Sequence, residues 1–426
     1  MKKFYLETYG CKLNQADSEI IREILEKNNY QFSSEKEADF VVINSCGVVE
    51  KTERKIIKRI RELKKKNKRV ILAGCLPLIS FKVCKKLADG ILGPKNLLSL
   101  PIVVKRIFEN KKSIFLKERN FSKIKYLPIK KRKNRAFVII PISEGCLGSC
   151  SYCVSRFARG KLKSFDEKEI LRKIEKALDL GFKEIQLTSQ DLAIYGLDRG
   201  KPSLPDLLNE ILKIKENFRV RFGMMNPFFA KRIFSKILKL MESEKIYKFL
   251  HLPLQSGSER ILKAMNRGYK LKEILKLISQ FKKKFKNSLL ATDIILGFPM
   301  ETEKDFQETV KIVKKIKPEI LHIFKYSKRE RAPASKLKDF PDKIKKERSR
   351  ILTKISREIC EKENKKYLLK KFEALITEKR KDTFLARLPS YKAVILKEGK
   401  LGDFVKIKIV NAKPNYLIGE IIRRES

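Results

Sequence analysis

Three cysteines within one short segment are the residues of this sequence best suited to chemistry. Cys146, Cys150 and Cys153 follow the pattern C-x3-C-x2-C inside Ser143–Gly160. Thiolates at this spacing can bind three irons of a [4Fe–4S] cube and leave the fourth iron open for a chelating ligand. A zinc knuckle would need a fourth local Cys or His, and a disulfide framework would need an even count and a secretory signal. The segment therefore predicts an iron–sulfur loop.

A second set of three cysteines is scattered over the first hundred residues. Cys11, Cys46 and Cys75 each come just after a short apolar run that predicts a strand. Because the carboxyl ends of parallel strands meet at one edge of a sheet, we expect these thiols to converge on a second three-cysteine cluster. The alternative is ordinary packing, since free cysteine is often buried. Cys84 and Cys360 lie at helical spacing among apolar residues and are interpreted as packing residues.

Short apolar runs alternate with helical patterns in the part of the chain that carries the scattered cysteines. The runs are Phe4–Leu6, Phe40–Ile43, Val70–Ala73 and Ile91–Leu92. This alternation predicts an α/β, flavodoxin-like N-terminal domain over residues 1–108. The basic residues 109–135 predict an inter-domain linker with a short strand at Ile114–Leu116.

Six further strand–helix units follow, and they predict a partial (β/α)6 TIM-like barrel over residues 136–365. The strands are expected at Phe137–Ile142, Ile185–Thr188, Val220–Met224, Phe249–Leu254, Leu290–Leu296 and Leu321–Phe324. In such barrels the active site lies at the carboxyl ends of the strands, and the three-cysteine loop follows the first of them. Polar residues in or after later strands are expected at the same rim: Gln190, Asp191, Gln255, Ser256 and Asp293.

The last sixty residues predict five short strands separated by turn residues, from Phe372–Thr377 to Leu417–Ile422. This pattern is typical of a small OB-like β-barrel, here over residues 366–426, and such barrels commonly bind nucleic acid. The alternative is a plain β-domain that serves only inter-domain packing.

The charge of the chain favours a polyanionic partner. Lys and Arg number 100 against 50 Asp and Glu, a formal net charge of +50. No apolar run approaches the roughly 20 residues of a membrane-spanning helix, and the N-terminus does not read as a signal peptide. Eight cysteines without such a signal indicate a reducing, cytoplasmic setting. We therefore expect nucleic acid as the partner, and no membrane.

Several segments together resemble the methylthiotransferases of the radical-SAM superfamily, in the order found in that family. They are T-Y-G-C-K-L-N-Q-A-D-S, I-N-S-C, A-G-C, E-G-C-L-G-S-C-S-Y-C, A-R-G, I-Q-L-T-S-Q-D, H-L-P-L-Q-S-G-S-E-R-I-L-K-A-M-N-R-G-Y and T-D-I-I-L-G-F-P. The terminal barrel resembles the TRAM RNA-binding module. The segment R-F-G-M-M-N-P is most similar to the archaeal and eukaryotic branch, which acts on N6-threonylcarbamoyladenosine in tRNA.

The resemblance implies two [4Fe–4S] clusters and S-adenosylmethionine. The Cys146, Cys150 and Cys153 cluster would generate a radical, and the Cys11, Cys46 and Cys75 cluster would deliver sulfur to C2 of the adenosine at tRNA position 37. The resemblance also implies three partners: the tRNA anticodon loop, an electron donor and a sulfur source.

The residues expected to contact S-adenosylmethionine are Tyr152, Gln190, Asp191, Gln255, Ser256, Asp293 and Arg159. The flipped base could be held by Tyr195, Phe228 and Phe229.

Two positions depart from the family pattern. Met300 stands where the family usually has Gly, and Glu330-Arg331-Ala332 replaces a Pro-Gly-Thr turn that we expect near the barrel mouth. Other substrates for the same chemistry stay open, namely isopentenyladenosine in tRNA or an aspartate of a ribosomal protein. A different class also stays open: an RNA-binding iron–sulfur electron carrier without catalysis. Electron carriers normally complete each cluster with four protein ligands, which two three-cysteine sets do not provide.

Overall fold

A parallel sheet with helices on both faces forms the N-terminal part of the computed structural model, which describes residues 1–117, 130–131 and 133–424. Its strands run in the order β2-β1-β3-β4-β5-β6. The strands are β1 (Lys3–Thr8), β2 (Gln31–Phe32), β3 (Phe40–Ser45), β4 (Arg69–Gly74), β5 (Gly90–Leu92) and β6 (Ser113–Phe115). The helices are α1 (Lys12–Lys27), α2 (Glu50–Lys65), α3 (Leu76–Ile79), α4 (Phe81–Leu87) and α5 (Leu100–Phe108).

Burial on both faces explains the continuous apolar runs of this sheet. Along β3, Phe40 and Val42 pack with α1 and α5, whereas Val41 and Ile43 pack with α2 and α4. The order 2-1-3-4-5 is that of flavodoxin-like sheets, so the predicted fold is confirmed. The strand predicted within residues 109–135 exists as β6 and pairs with β5, so the sheet continues past residue 108. Residues 118–129 and 132 of that segment lie outside the described residues.

Six parallel strands form the central domain as two sheets of three, in the orders β7-β10-β11 and β12-β13-β14. They are β7 (Phe137–Pro141), β10 (Glu184–Thr188), β11 (Arg219–Phe222), β12 (Phe249–His251), β13 (Leu289–Leu296) and β14 (Ile320–Lys325). The backbone N–H of Met225 donates to the carbonyl oxygen of His251 (3.0 Å) and joins the two sheets. The predicted partial barrel is therefore confirmed.

Helices surround this barrel, and a two-stranded hairpin encloses the cysteine loop. The helices are α6 (Ser155–Arg159), α7 (Glu167–Asp179), α8 (Leu204–Lys213), α9 (Pro227–Ala230), α10 (Phe234–Leu240), α11 (Glu259–Ala264), α12 (Leu271–Lys284), α13 (Glu303–Ile316) and α14 (Asp342–Lys365). The hairpin consists of β8 (Ser143–Glu144) and β9 (Lys163–Ser164). Short 3-10 helices lie at Leu97–Ser99, Leu192–Ile194, Leu197–Arg199 and Pro333–Lys336.

The two edges of the partial barrel differ in how they are covered. At the first edge, Ala16 of α1 packs against Phe137 and Ile139, which lie on the inner face of β7. At the other edge, β14 leaves His322 and Phe324 exposed. The N-terminal domain therefore covers the barrel interior from one side only.

A closed five-stranded barrel follows α14, as the sequence predicts, with the strand order β15-β16-β17-β19-β18. Its strands are β15 (Lys371–Lys379), β16 (Phe384–Arg387), β17 (Ala393–Leu396), β18 (Phe404–Ala412) and β19 (Leu417–Arg424). Tyr391, in the β16–β17 turn, lies against Tyr247 and Phe249 with ring centroids 5.0 and 5.1 Å away. The small barrel thus covers the amino-terminal end of the large one. Among the described helices, none has the length and apolar character needed to cross a bilayer.

Candidate iron–sulfur and radical site

The C-x3-C-x2-C segment forms a loop beyond the carboxyl end of β7, inside the β8–β9 hairpin. Backbone N–H groups point at its sulfurs: Gly148 donates to Cys146 Sγ (3.2 Å) and Ser155 donates to Cys153 Sγ (3.4 Å). A Cβ at Gly148 would lie 3.3 Å from Cys146 Sγ and 3.8 Å from Cys150 Sγ. Glycine therefore leaves open the space beside the sulfurs that a bulky inorganic group would need.

Arg267 contacts the remaining sulfur of this loop, that of Cys150. The sequence did not predict this contact. The buried guanidinium of Arg267 donates to Cys150 Sγ (3.1 Å), to the hydroxyls of Tyr152 (3.2 Å) and Tyr269 (3.2 Å), and to Asn226 Oδ1 (3.3 Å). Within the described chain no carboxylate forms an ion pair with Arg267, so all its partners are neutral groups or thiols.

The scattered cysteines meet at the carboxyl edge of the N-terminal sheet, as expected. Cys11 precedes α1, Cys46 follows β3 and Cys75 follows β4, with Cys75 N–H donating to the carbonyl oxygen of Ser45 (2.8 Å). A Cβ at Gly10 would lie 3.1 Å from Cys46 Cβ. The thiols of Cys11 and Cys46 both raise the pKa of Cys75, an effect secondary to burial, so all three lie within electrostatic range.

Arg159 follows the first cysteine set in the sequence and contacts the second set across the domain interface. It ends α6, directly after the loop, and its Nε donates to Cys75 Sγ (3.2 Å). The same guanidinium pairs with Asp17 of α1 (2.7 Å) and Glu144 of β8 (3.0 Å), and donates to Asn14 Oδ1 (3.2 Å). The structure thus directs Arg159 to the second cysteine set, and not to the S-adenosylmethionine contact expected from the sequence.

The chemical state of the thiols suits metal binding better than disulfide formation. All eight cysteines are free. Burial raises the pKa of Cys75 and of Cys146 to about 12, so cluster binding at either set would release protons. Around a single tetrahedral zinc ion the sulfurs would lie about 3.8 Å apart, given Zn–S bonds of ~2.3 Å. Within the described residues, neither cysteine set brings three sulfurs within 4.8 Å of one another, so neither is preformed around a single zinc ion.

Family models match three consecutive parts of the chain. Residues 3–91 match a family described as Uncharacterized protein family UPF0004, residues 140–313 match the Radical SAM superfamily, and residues 365–422 match the TRAM domain. The chain is 45% identical over 420 residues to a probable threonylcarbamoyladenosine tRNA methylthiotransferase of Archaeoglobus fulgidus, covering 98% of both proteins. The chain belongs to the radical SAM methylthiotransferases. The resemblance noted in the sequence is confirmed.

Two more distant comparisons place this methylthiotransferase within its superfamily. It is 35% identical to a tRNA-2-methylthio-N(6)-dimethylallyladenosine synthase of Carboxydothermus hydrogenoformans, with 99% of each chain covered. The fold is similar to that of the radical S-adenosylmethionine methyltransferase TsrM from Kitasatospora setae, with a TM-score of 0.55 and 13% identity over 79% of this chain and 75% of that chain. The radical SAM domain of the methylthiotransferase implies S-adenosylmethionine and a [4Fe–4S] cluster as cofactors.

Two buried acceptors of the methylthiotransferase fit the donor groups of S-adenosylmethionine. Asp191 Oδ1 accepts the backbone N–H groups of Ala193 and Asn226 (both 3.0 Å), while its Oδ2 has no partner. Gln255 adopts φ +70° and its Oε1 also has no partner. Burial raises the pKa of Asp191 to about 7. Because an unpaired buried acceptor is costly, these oxygens suit a ligand with ammonium or hydroxyl donors.

The other predicted cofactor contacts are placed differently. Gln190 Oε1 accepts the backbone N–H of Gly145 (2.7 Å) and so fixes the start of the cysteine loop. Ser256 is fully buried and its hydroxyl lies 3.4 Å from that of Thr309, so it is engaged within the protein. Asp293 lies three residues before the end of β13 and so deeper in the barrel. These three contacts stay predictions, with Gln190 nearest to the cysteine loop.

The aromatic residues expected to hold the base are only partly available. Tyr195 is fully buried and its hydroxyl donates to the carbonyl oxygen of Phe165 (3.0 Å), so its predicted role in base binding is wrong. Phe228 and Phe229 form an edge-to-face pair at 4.9 Å and pack against the core. Phe324 of β14, which was not singled out from the sequence, is 38% exposed. The alternation of His322 and Phe324 along that strand was the available signal.

The two departures from the family pattern have separate structural consequences. Arg331 donates to the carbonyl oxygen of Leu78 (2.9 Å), in the helix that follows Cys75. The changed turn therefore contacts the N-terminal domain, and just after it the backbone N–H of Ala334 donates to the carbonyl oxygen of Ser151 in the cysteine loop (2.8 Å), so the turn lies near the barrel mouth as expected. Met300 is 53% exposed with φ +74°, a conformation that glycine adopts without strain and other residues rarely adopt.

Proposed function

We propose that this methylthiotransferase converts N6-threonylcarbamoyladenosine at tRNA position 37 into its 2-methylthio derivative. The observation that carries the proposal is the identity of 45% over 98% of both chains with the threonylcarbamoyladenosine enzyme, against 35% with the dimethylallyladenosine enzyme. The geometry is compatible with this reaction because Arg159, which directly follows the first cysteine loop, contacts Cys75 and Asp17 of the N-terminal domain.

The residues present fit the groups that this reaction requires. Cys146, Cys150 and Cys153 would hold the cluster that binds S-adenosylmethionine; the second cluster would be held by Cys11, Cys46 and Cys75. When bound, these groups supply a radical that removes hydrogen from an unactivated C–H bond and the sulfur that replaces it. The C2–H bond of adenine has no useful acidity, so its replacement calls for such chemistry.

The protein contributes orientation and exclusion of water. The ion pairs of Arg159 with Asp17 and Glu144 are almost wholly buried, so they close the interface beside Cys75 to solvent. The unpaired oxygens of Asp191 and Gln255 would accept hydrogen bonds from S-adenosylmethionine and so orient it at the rim. The adenine must leave the anticodon-loop stack to reach this interface.

The TRAM domain and the charge of the chain support tRNA as the partner. If phosphate contacts dominate, the logarithm of the affinity for tRNA should fall linearly with the logarithm of salt concentration. A flat salt response would contradict this part of the proposal. An electron donor and a sulfur source are also required, in a reducing compartment such as the cytoplasm, where thiolate ligands persist.

The deciding experiment is the nucleoside profile of tRNA from a deletion strain. Mass spectrometry should show loss of 2-methylthio-N6-threonylcarbamoyladenosine and accumulation of its precursor, both reversed by the wild-type gene. Complementation with Cys150→Ala should fail, whereas Cys360→Ser, which alters a packing cysteine, should restore the modification. Loss of 2-methylthio-isopentenyladenosine instead, or of methylthio-aspartate in a ribosomal protein, would contradict the proposed substrate.

A further inference from the structure

A polar cluster lies on the inner face of β12–β14 and includes Asp293, whose predicted contact with S-adenosylmethionine the proposal below replaces. His251 Nε2 lies 2.9 Å from Asp293 Oδ1, and the ligand atoms of His251, Asp293 and His322 all lie within 4.8 Å of one another. The rings of His251 and His322 are 5.6 Å apart, and that of His322 is 6.4 Å from Phe324. His322 and Phe324 are exposed at the barrel edge that α1 does not cover, so the cluster is open to a large ligand.

Arg221 of β11 lies beside this cluster. Its guanidinium is 4.8 Å from the ring of Phe249 and 5.6 Å from that of Tyr391, and its buried Nε has no hydrogen-bond partner. In the part of the chain that the structure describes, no carboxylate forms an ion pair with Arg221. A half-buried guanidinium of this kind is suited to bind a carboxylate, through two parallel N–H···O bonds.

The surrounding charge decides between a cation and an anion as the ligand. Two histidines and an aspartate could chelate a divalent metal ion. Arg221, however, is close enough to His322 to lower its pKa, an effect secondary to burial and opposed by Asp293. Lys12 of α1 and Arg387 add positive charge on that side, and Glu184 and Glu378 add negative charge. Arg221 itself forms no ion pair with a described carboxylate, so a bound carboxylate would give it a partner, whereas a metal ion would place a second positive charge beside it.

The cluster lies on the barrel wall next to the rim. Asp293 is three residues before Leu296 at the end of β13, about 10 Å along the strand at ~3.3 Å per residue, and its carbonyl oxygen accepts the backbone N–H of Gln255 (2.7 Å). The cysteine loop stands at the rim, so a purine with C2 towards that loop would direct its N6 substituent into the barrel. The threonylcarbamoyl group carries a carboxylate and a hydroxyl, whereas an isopentenyl group carries neither.

We propose that the wall formed by Arg221, His251, Asp293, His322 and Phe324 is the pocket that recognises the threonylcarbamoyl substituent. Arg221 binds its carboxylate, Asp293 accepts from its hydroxyl while held by His251, and the rings of His322 and Phe324 stack against the base. This inference rests on the proposed function and deepens it by assigning substrate specificity to residues away from both cysteine sets.

The test compares binding of two anticodon stem-loop RNAs to the anaerobic holoenzyme, one with N6-threonylcarbamoyladenosine and one with unmodified adenosine at position 37. Fluorescence anisotropy should show tighter binding of the modified RNA by wild type. Arg221→Gln should weaken that binding about ten- to a hundredfold, the usual range for a hydrogen bond to a charged group, and leave the unmodified RNA unaffected. Arg221→Lys should retain part of the preference. Arg172→Gln, which removes the same charge from an exposed helix position, should leave the preference intact.

Iron content and 5′-deoxyadenosine formation show whether the Arg221→Gln protein is folded and holds its clusters. If it does not, Phe324→Ala and His322→Gln are used in the same comparison. The inference is overturned if wild type does not prefer the modified RNA, or if a folded variant keeps the full preference. It is also overturned if Zn²⁺ or Mn²⁺ alone binds one per chain, His322→Gln abolishes that binding, and the RNA preference is unchanged. Failure of wild type to methylthiolate either RNA would instead count against the proposed function.

Discussion

The two cysteine sets of this methylthiotransferase are assembled in opposite ways, and each is contacted by one buried arginine. The first set comes from a single loop, and its arginine, Arg267, has only neutral partners and the Cys150 sulfur. The second set comes from three separate strand ends, and its arginine, Arg159, is paired with Asp17 and Glu144. Counting only the arginine and its ion-pair partners, the charge is +1 beside the first set and −1 beside the second; Asp191 also lies within electrostatic range of Cys146 and Arg267.

This difference bears on electron uptake, because nearby positive charge and N–H···S bonds raise the reduction potential of an iron–sulfur cluster. Arg267 would make the cluster of the loop easier to reduce, whereas Asp17 and Glu144 offset the effect of Arg159. Under the proposed assignment, an electron delivered to the protein would then go to the loop cluster, which would cleave S-adenosylmethionine. The comparison teaches that similar thiol sets can be given different roles by the charges packed against them.

The largest expected effect comes from removing one ligand of each set. Cys150→Ala should abolish 5′-deoxyadenosine formation, because two thiolates do not hold the cluster at the rim. Cys46→Ala should leave that product partly intact and stop methylthio transfer. Anaerobic product assays together with iron content, expected to fall by about four per chain in each variant, measure both effects. Persistence of 5′-deoxyadenosine in Cys150→Ala would reverse the assigned roles.

A large effect on stability should separate the two arginines. Arg159→Gln leaves Asp17 and Glu144 buried without a cation and should cost about 3–5 kcal/mol of unfolding free energy. Arg267→Gln leaves only neutral groups and thiols and should cost about 1–2 kcal/mol. Urea unfolding of the cluster-free proteins measures both values. Equal losses would show that the carboxylates do not depend on Arg159.

A smaller effect is expected on the potentials themselves. Glu144→Gln removes one negative charge beside the second set and should raise the potential of that cluster, on the order of tens of millivolts. Arg267→Gln should lower the potential of the loop cluster by a similar amount. Redox titration followed by electron paramagnetic resonance distinguishes the two clusters, and Glu169→Gln on the exposed face of α7 is the matched control. A shift of both clusters together in either variant would contradict separate tuning.

The smallest effect concerns the contact between the changed turn and the helix after Cys75. Arg331→Ala removes an exposed hydrogen bond to Leu78 and should cost less than about 1 kcal/mol of unfolding free energy. Since Arg331 contacts neither cysteine set, 5′-deoxyadenosine formation should be unchanged within error. A substantial loss of methylthio transfer would show that this turn helps to align the second set.

The sequence by itself determined the three-part fold, the family and the two cysteine sets. Local spacing was sufficient for Cys146, Cys150 and Cys153, because ligands of one loop are neighbours whatever the rest of the chain does. Cys11, Cys46 and Cys75 are far apart in the sequence. The rule that parallel strands end at one edge of the sheet predicted that they lie close together in space. Both inferences needed only secondary structure and one topological rule.

Only the tertiary structure decided how the domains meet and what lies inside the barrel. Arg159 reaches Cys75 and Arg267 reaches Cys150 across 84 and 117 residues of sequence, distances at which no local pattern specifies a partner. Tyr195 proved to be part of the central-domain core, whereas Phe324 is exposed at the barrel edge that α1 does not cover. Side-chain surroundings of this kind are set by domain packing, and local periodicity carries no information about them.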